Sequence, residues 1–281
     1  MNSASSTPLA ELSSVTQLSS AQIKQAITKG ALWLTRHDHT QRLRRIKKKL
    51  SEGDTLHFYY DEAILSQLPP PAQLIADLQD YSVWYKPYGM LSQGSKWSDH
   101  CTISRWAQNN LPNERPVFIV HRLDRAATGL ILVAHSKKAA KALSAMFEVH
   151  AFEKHYQIIV HGDHGQRPQP DVITLEIDGK RAKSTFCFNQ YDSVAHLSLI
   201  DVKIETGRKH QIRKHASSIN LPVVGDRLHG DTTKTYADVL NLQLCAVSLA
   251  FTCPLSATEQ HFELPEELKP QIAKTIKLLD K

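Results

Sequence analysis

The chain has 281 residues, 41% of them hydrophobic and 22% charged, with a formal net charge of +6. That is globular composition, long enough for one sizeable core or two domains, and its basic balance suggests a polyanionic partner. Cysteines at 101, 187, 245 and 253 form no CxxC pair, the first twenty residues lack a signal peptide's basic and apolar regions, and no stretch approaches 20 apolar residues. A disulfide framework, a zinc ribbon, a secretory signal and a bilayer span are thereby excluded, and a cytoplasmic protein with free thiols is expected.

Residues 1–19, rich in Ser, Thr and Ala, are expected to be a disordered tail. The segment SSAQIKQAITKGALWLT predicts a short helix capped by Ser20, with Ile23, Ala26 and Ile27 on one face and Gly30 at its end. QRLRRIKKKLSEGD predicts a second helix with Leu43, Ile46 and Leu50 on one face, surrounded by Arg42, Arg44, Arg45, Lys47, Lys48 and Lys49. TLHFYYDE alternates as a strand and closes a small unit over residues 20–62. Three prolines, 69 to 71, mark residues 63–80 as a linker.

From residue 81 to 281 strands separated by turns dominate. YSVWYK, VFIV and GLILVA read as strands, and SKKAAKALSAMFEVH as a helix with Ala140, Leu143 and Phe147 on one face. KHYQIIVHG, DVITLEI, KSTFCFNQY and AHLSLIDVKIET follow as strands, then a helix from about Lys209 to Ile219. Strands outnumber helices and arrive in consecutive runs, which predicts an α+β class.

Between two apolar strands stands HRLDRAATG, residues 121–129, and loops at sheet ends are where scaffolds display reactive groups. A lone aspartate in such a loop is ordinarily a turn former. The helix near 212 supplies a candidate partner for Asp124. Ile212, Ala216 and Ile219 form its buried stripe, and Arg213 stands about 100° from Ile212, at the margin of the core. A guanidinium there is costly unless it meets a carboxylate, which Asp124 offers, or snorkels to water. An adjacent arginine would keep that aspartate ionised. His210 and His215 are five apart and there is no HExxH, so no metal site is expected.

These residues carry a resemblance. HRLDRAATGLILVA resembles the active-site signature of the RluA-type pseudouridine synthases, KHYQIIVHG their tyrosine motif, and IETGRKHQIRKHASSINLPVVGDRLHG their arginine motif. The likeness runs from VWYKPYGML to LQLCAVSLAFTCPL and HFELP, about two hundred residues in family order. Residues 20–62 resemble the small α-L RNA-binding motif often fused before this catalytic domain, with an unusually long basic segment between its halves.

The resemblance implies a predominantly antiparallel mixed sheet with a central RNA-binding cleft, preceded by a small α/β RNA-binding domain. It implies isomerisation of uridines in structured RNA, ribosomal or transfer, by a monomer that needs no cofactor. Asp124 is then the essential carboxylate, either as nucleophile or as the base that stabilises a sugar intermediate. Tyr156 stacks on the target base and assists proton transfer, and Arg213 pairs with the aspartate. Arg122 enters the stack vacated by the flipped base, and Arg42, Arg44, Arg45, Lys47, Lys48 and Lys49 contact RNA phosphates. Lys86 supports the cleft without chemistry. Ala127 departs from the family's usual hydroxyl, and Cys245 stands where the family often has histidine and reads as packing. Two other readings stay open: a catalytically silent RNA-binding protein with the synthase fold, and an unrelated hydrolase built on Asp124 and His121.

Overall fold

A computed structural model describes residues 6–230 and 240–279. It divides into two compact units, one running to Pro69 and including Gln93–Asn110, the other comprising Pro70–Ser92 and the chain from Leu111. The linker expected at 63–80 is therefore not a spacer throughout. Its prolines mark the unit boundary, but the chain enters the second unit at Pro70 and later returns to the first.

In the first unit, helix α1 (Pro8–Val15) and helix α2 (Ser20–Thr28) pack on strands β1 (Leu32–Arg36), β2 (His39–Arg42) and β3 (Thr55–Phe58), which form an antiparallel sheet in the order β2-β1-β3. Short helix α3 (Glu62–Leu65) follows, and helix α4 (Ile103–Asn110) belongs to the returning segment. The expected tail is ordered over its described part. Thr7 caps α1, Pro8 occupies the first turn, and Leu12 is buried against Ile23, Ile27, Leu32 and Leu34. Ser19, not Ser20, caps α2, in a reciprocal pairing with Gln22.

The basic segment is not a helix. After β2 the chain runs through turns, yet Leu43 is buried and Ile46 and Leu50 pack on the same core. The apolar stripe foretold burial, while hydrogen bonds chose the geometry. The Arg42 guanidinium lies 4.4 Å over the Trp33 ring and donates to the carbonyls of Gly30 and Ser95, and Arg44 pairs with Asp99. These two arginines are therefore spent inside the unit. Arg45, Lys47 and Lys49 are exposed, and Lys48 is half-exposed.

The second unit is α+β, as expected. Strands β4 (Gln73–Asp77), β5 (Tyr81–Lys86), β6 (Phe118–Ile119), β7 (Thr128–Ala134), β8 (Glu153–His161), β9 (Asp171–Ile173), β10 (Ser184–Asp192), β11 (Leu197–Ile204), β12 (Leu244–Thr252) and β13 (Glu259–Glu263) form one sheet. Its main path is β4-β5-β7-β12-β8-β11-β10-β9, with β13 on β12 and β6 on β7. The β7–β12 pairing is parallel and the other strand pairs are antiparallel. Helices α5 (Lys137–Glu148), α6 (Gln211–Ser218) and α7 (Ile272–Leu279) pack against it.

Along β8 successive side chains alternate between faces. Ile158 and Val160 join Ile212 and Ala216 of α6 in one cluster, whereas Ile159 joins Leu197, Leu199 and Ile272 on the other side. The parallel junction matters most for the site. Gly129 at the start of β7 has φ +112°, and a Cβ there would lie 2.3 Å from the Ala246 carbonyl oxygen. A glycine thus lets β7 run tight against β12, and Ala246 is also in register with Tyr156 of β8.

Candidate active site

The stretch from β6 to β7 crosses the sheet end as the HRLD loop, and its backbone is tied down at each residue. The Leu123 amide donates to Ser92 Oγ at 3.0 Å, and that hydroxyl donates to the Leu123 carbonyl at 2.7 Å. The Arg125 carbonyl accepts from the Gly89 amide (3.0 Å) and from Lys86 Nζ (3.4 Å). Ala127 donates its amide to the Asp124 carbonyl at 3.2 Å and buries its methyl. A side-chain hydroxyl at 127 is thus dispensable here: the backbone turn and Ser92 brace the loop.

Lys86 is fully buried, and its Nζ also donates to the Pro87 and Met90 carbonyls at 3.1 and 3.0 Å. Burial pushes its pKa down to about 7, against the opposing pull of Asp124. It is a clamp on the loop.

Helix α6 delivers the arginine. Gln211 Nε2 donates to the Lys183 carbonyl and Ser184 Oγ, both at 2.9 Å, and His215 Nδ1 lies 2.9 Å from Ser184 Oγ. These bonds fix the helix to β10 and aim Arg213 toward Asp124. Arg213 is 4% exposed, and its Nη1 donates to Asp124 Oδ2 at 3.3 Å.

Its principal partner, however, is another carboxylate. Nε donates to Asp226 Oδ2 at 2.8 Å and Nη2 to Asp226 Oδ1 at 2.5 Å, the two-toothed geometry that a guanidinium favours. The Asp226 Oδ1 also accepts from the amides of Leu228 (2.9 Å) and His229 (3.1 Å). Burial alone would push this carboxyl up, but the bonds from Arg213 and these amides hold it below the usual range. Burial likewise opposes the charge on Arg213, and Asp226 then Asp124 outweigh it. Gly225, at φ +76°, makes the approach possible: a Cβ there would sit 2.4 Å from the Asn241 carbonyl oxygen.

Asp226 was overlooked in the sequence although it ends the VVGD stretch. A buried arginine needs a buried carboxylate that takes two donors, and a Gly-Asp turn thirteen residues on was the available signal.

Asp124, Tyr156 and Arg122 line one cavity of about 100 Å³, with Ala127, Ile212 and Leu244 as its apolar wall. The Asp124 side chain is 27% exposed and Arg122 is exposed. Burial, followed by the nearby Asp124 charge, pushes the Tyr156 phenol well above its ordinary pKa, so it stays protonated at neutral pH. His210 lies 3.9 Å from Asp124 Oδ2 through Nε2, and its Nδ1 is 2.9 Å from Nε2 of His229, a second pairing not anticipated.

His121 is engaged elsewhere. Its Nε2 accepts the Leu132 amide at 2.9 Å, its ring stacks on Phe147 at 4.3 Å, and burial pushes its pKa down to about 3. A neutral acceptor bonded to backbone cannot serve as the acid or base of a hydrolase. Cys245, buried and pushed up to about 11, is a packing residue as expected.

The family described as RNA pseudouridylate synthase matches residues 80–218. The tRNA pseudouridine synthase C of Haemophilus ducreyi is 32% identical over 199 residues, covering 60% of this chain and 80% of that protein. This chain belongs to the RNA pseudouridine synthase family. It is therefore an isomerase, of the RluA type that the motifs resemble. Ribosomal large subunit pseudouridine synthase D of Zymomonas mobilis is 29% identical over 170 residues, covering 54% of each chain. The solved structure of human RNA pseudouridylate synthase domain containing 1 shares the fold, with a TM-score of 0.57 at 19% identity, covering 75% of this chain and 95% of that one. Arg213 and the HRLD loop lie within the matched residues of the synthase family, whereas Asp226 lies just beyond them.

Proposed function

We propose that this synthase isomerises uridines in structured RNA, ribosomal RNA in the first place and transfer RNA as the second candidate, in the cytoplasm and as a monomer without cofactor. The target nucleotide flips into the Asp124 cavity, and Arg122 at the rim fills the gap it leaves. The Asp124 carboxylate acts at the ribose anomeric carbon while its bond to uracil N1 breaks. The freed ring turns, C5 bonds to the same carbon, and the C5 proton is lost while N1 gains one, so the net change is isomerisation. Tyr156, held as a neutral phenol, stacks on the base and donates a hydrogen bond; it is poorly suited to start as a base. Arg45, Lys47, Lys48 and Lys49 draw in the phosphate backbone without selecting the uridine.

One observation carries this reading. Asp124 and Tyr156 share a cavity, and Arg213, anchored two-toothed by Asp226, spends its remaining donor on Asp124. An arginine locked that way fixes the carboxylate's position in the absence of substrate, which is what chemistry at a single anomeric carbon requires. The relatives named for large-subunit ribosomal RNA and for transfer RNA support the two candidate substrates. Mapping pseudouridines in RNA from cells with and without the gene tests the proposal. At least one site should vanish without it, and an unchanged map would leave a silent RNA-binding protein instead.

A further inference from the structure

Lys154 stands two residues before Tyr156 on β8, so both side chains project from one face of the strand, about 7 Å apart along it. It is 8% exposed, and among the described residues its ammonium has neither a hydrogen bond nor a carboxylate. Burying an unpaired ammonium is costly, and a partner that arrives with the ligand offsets the cost.

The surroundings indicate the ligand. The register of β8 with β11 pairs Tyr156 with Val202 and His155 with Lys203, so Ile204 follows beside Lys154. Ile204 borders both the Asp124 cavity and a larger cavity of about 580 Å³. Arg181, Lys183, Lys203 and His150 line that second cavity. Its two acids are already occupied, Glu205 by Lys183 at 2.6 Å and Glu153 by Lys203. Arg208 bridges the two spaces: it lines the Asp124 cavity and donates from Nε to the Arg181 carbonyl at 3.1 Å. The cationic groups left over at this border are Lys154 and the exposed Arg181.

We propose that Lys154 and Arg181 form a phosphate subsite that holds the RNA backbone beside the flipped uridine, the strand continuing from the Asp124 cavity into the larger one. The proposal rests on the synthase reading, and it assigns a role to residues outside the three motif positions. An ammonium rooted in the core on the strand that carries Tyr156 gives the backbone a fixed point relative to the base, unlike the mobile lysines of the first unit.

The test is binding of a short single-stranded oligouridylate across a salt series, for the full chain and for Lys154→Met, Lys154→Arg and Arg181→Gln. One lost phosphate contact on a single strand makes the salt dependence shallower by about 0.7 and weakens binding about fivefold at 0.1 M salt. Lys154→Met and Arg181→Gln should each show that change, and Lys154→Arg should retain the wild-type slope. If Lys154→Met fails to fold, Arg181→Gln and Lys154→Arg still decide. Wild-type affinity and slope in Arg181→Gln, or a Lys154→Arg slope as shallow as that of a neutral variant, would overturn the subsite. Pseudouridine formation by the wild-type chain on cellular RNA is measured on the same preparation. Its absence would sink the synthase reading, whereas its presence with unchanged slopes sinks the subsite alone.

Discussion

Replacing Asp226 with asparagine removes one charge and keeps the shape. Asp226 and Arg213 are each 4% exposed, so the change leaves a buried guanidinium facing a neutral amide. Breaking a buried pair on one side costs about 3–5 kcal/mol. Asp124, 3.3 Å from Nη1, remains as a partial counter-charge, and the asparagine oxygen can still accept the Leu228 and His229 amides. The lower end, about 3 kcal/mol, is therefore expected, which lowers the unfolding midpoint by about 6–12 °C in a domain of this size. Arg213 then turns toward Asp124 without its anchor, and a small misplacement of that kind slows chemistry about a hundredfold. RNA affinity should hold within about twofold, because Asp226 faces the protein and not the ligand. Thermal unfolding, single-turnover pseudouridine formation and filter binding on the same RNA measure the three quantities. An Asp226→Asn variant with a normal rate would refute the idea that this anchor positions the catalytic carboxylate.

Arg213→Lys keeps the charge but reaches one carboxylate oxygen at a time, so its rate should also fall about a hundredfold with little change in affinity; a normal single-turnover rate would show that the fork is not needed. Neutralising Lys47, Lys48 and Lys49 together should make the salt dependence of RNA binding shallower by about 2–3, and an unchanged slope in filter binding would reduce that segment to a solvated face. His121 is held neutral with its pKa pushed down to about 3, whereas the unfolded chain takes up that proton near pH 6.5. The unfolded state thus binds more protons between those values, and stability falls as pH drops through them, by about 2 kcal/mol at pH 5 from this residue. His121→Gln should flatten the denaturation profile over that window, and an unaltered pH slope would mean the ring is protonated in the fold.

Strand alternation was legible because it records which face is buried: KHYQIIVHG became β8, with Tyr156, Ile158 and Val160 on the site's side. The stripe of Leu43, Ile46 and Leu50 was legible as burial but not as geometry. Apolar spacing of three and four fits a helix, yet the bonds of Arg42 and Arg44 to residues over fifty positions away hold the chain in turns. The tail misled for the opposite reason. Its polar composition hid one buried leucine, Leu12, and a Thr-Pro cap. At the site, the motifs located Asp124, Tyr156 and Arg213, and the margin position of Arg213 on its helix correctly called for a carboxylate. They did not say which one would grip it. The choice of Asp226 over Asp124 depends on the Gly225 turn against Asn241, a tertiary contact with no local periodicity. Lys154 carries no signal in sequence beyond its parity with Tyr156.

The most direct test of the account is single-turnover pseudouridine formation by Asp124→Asn on an RNA that the wild-type chain modifies. The side chain is 27% exposed at a loop position, so the fold should survive its loss of charge. The account predicts no pseudouridine over many wild-type half-times, with RNA still bound. An Asp124→Asn variant that retains most of the wild-type rate would contradict it.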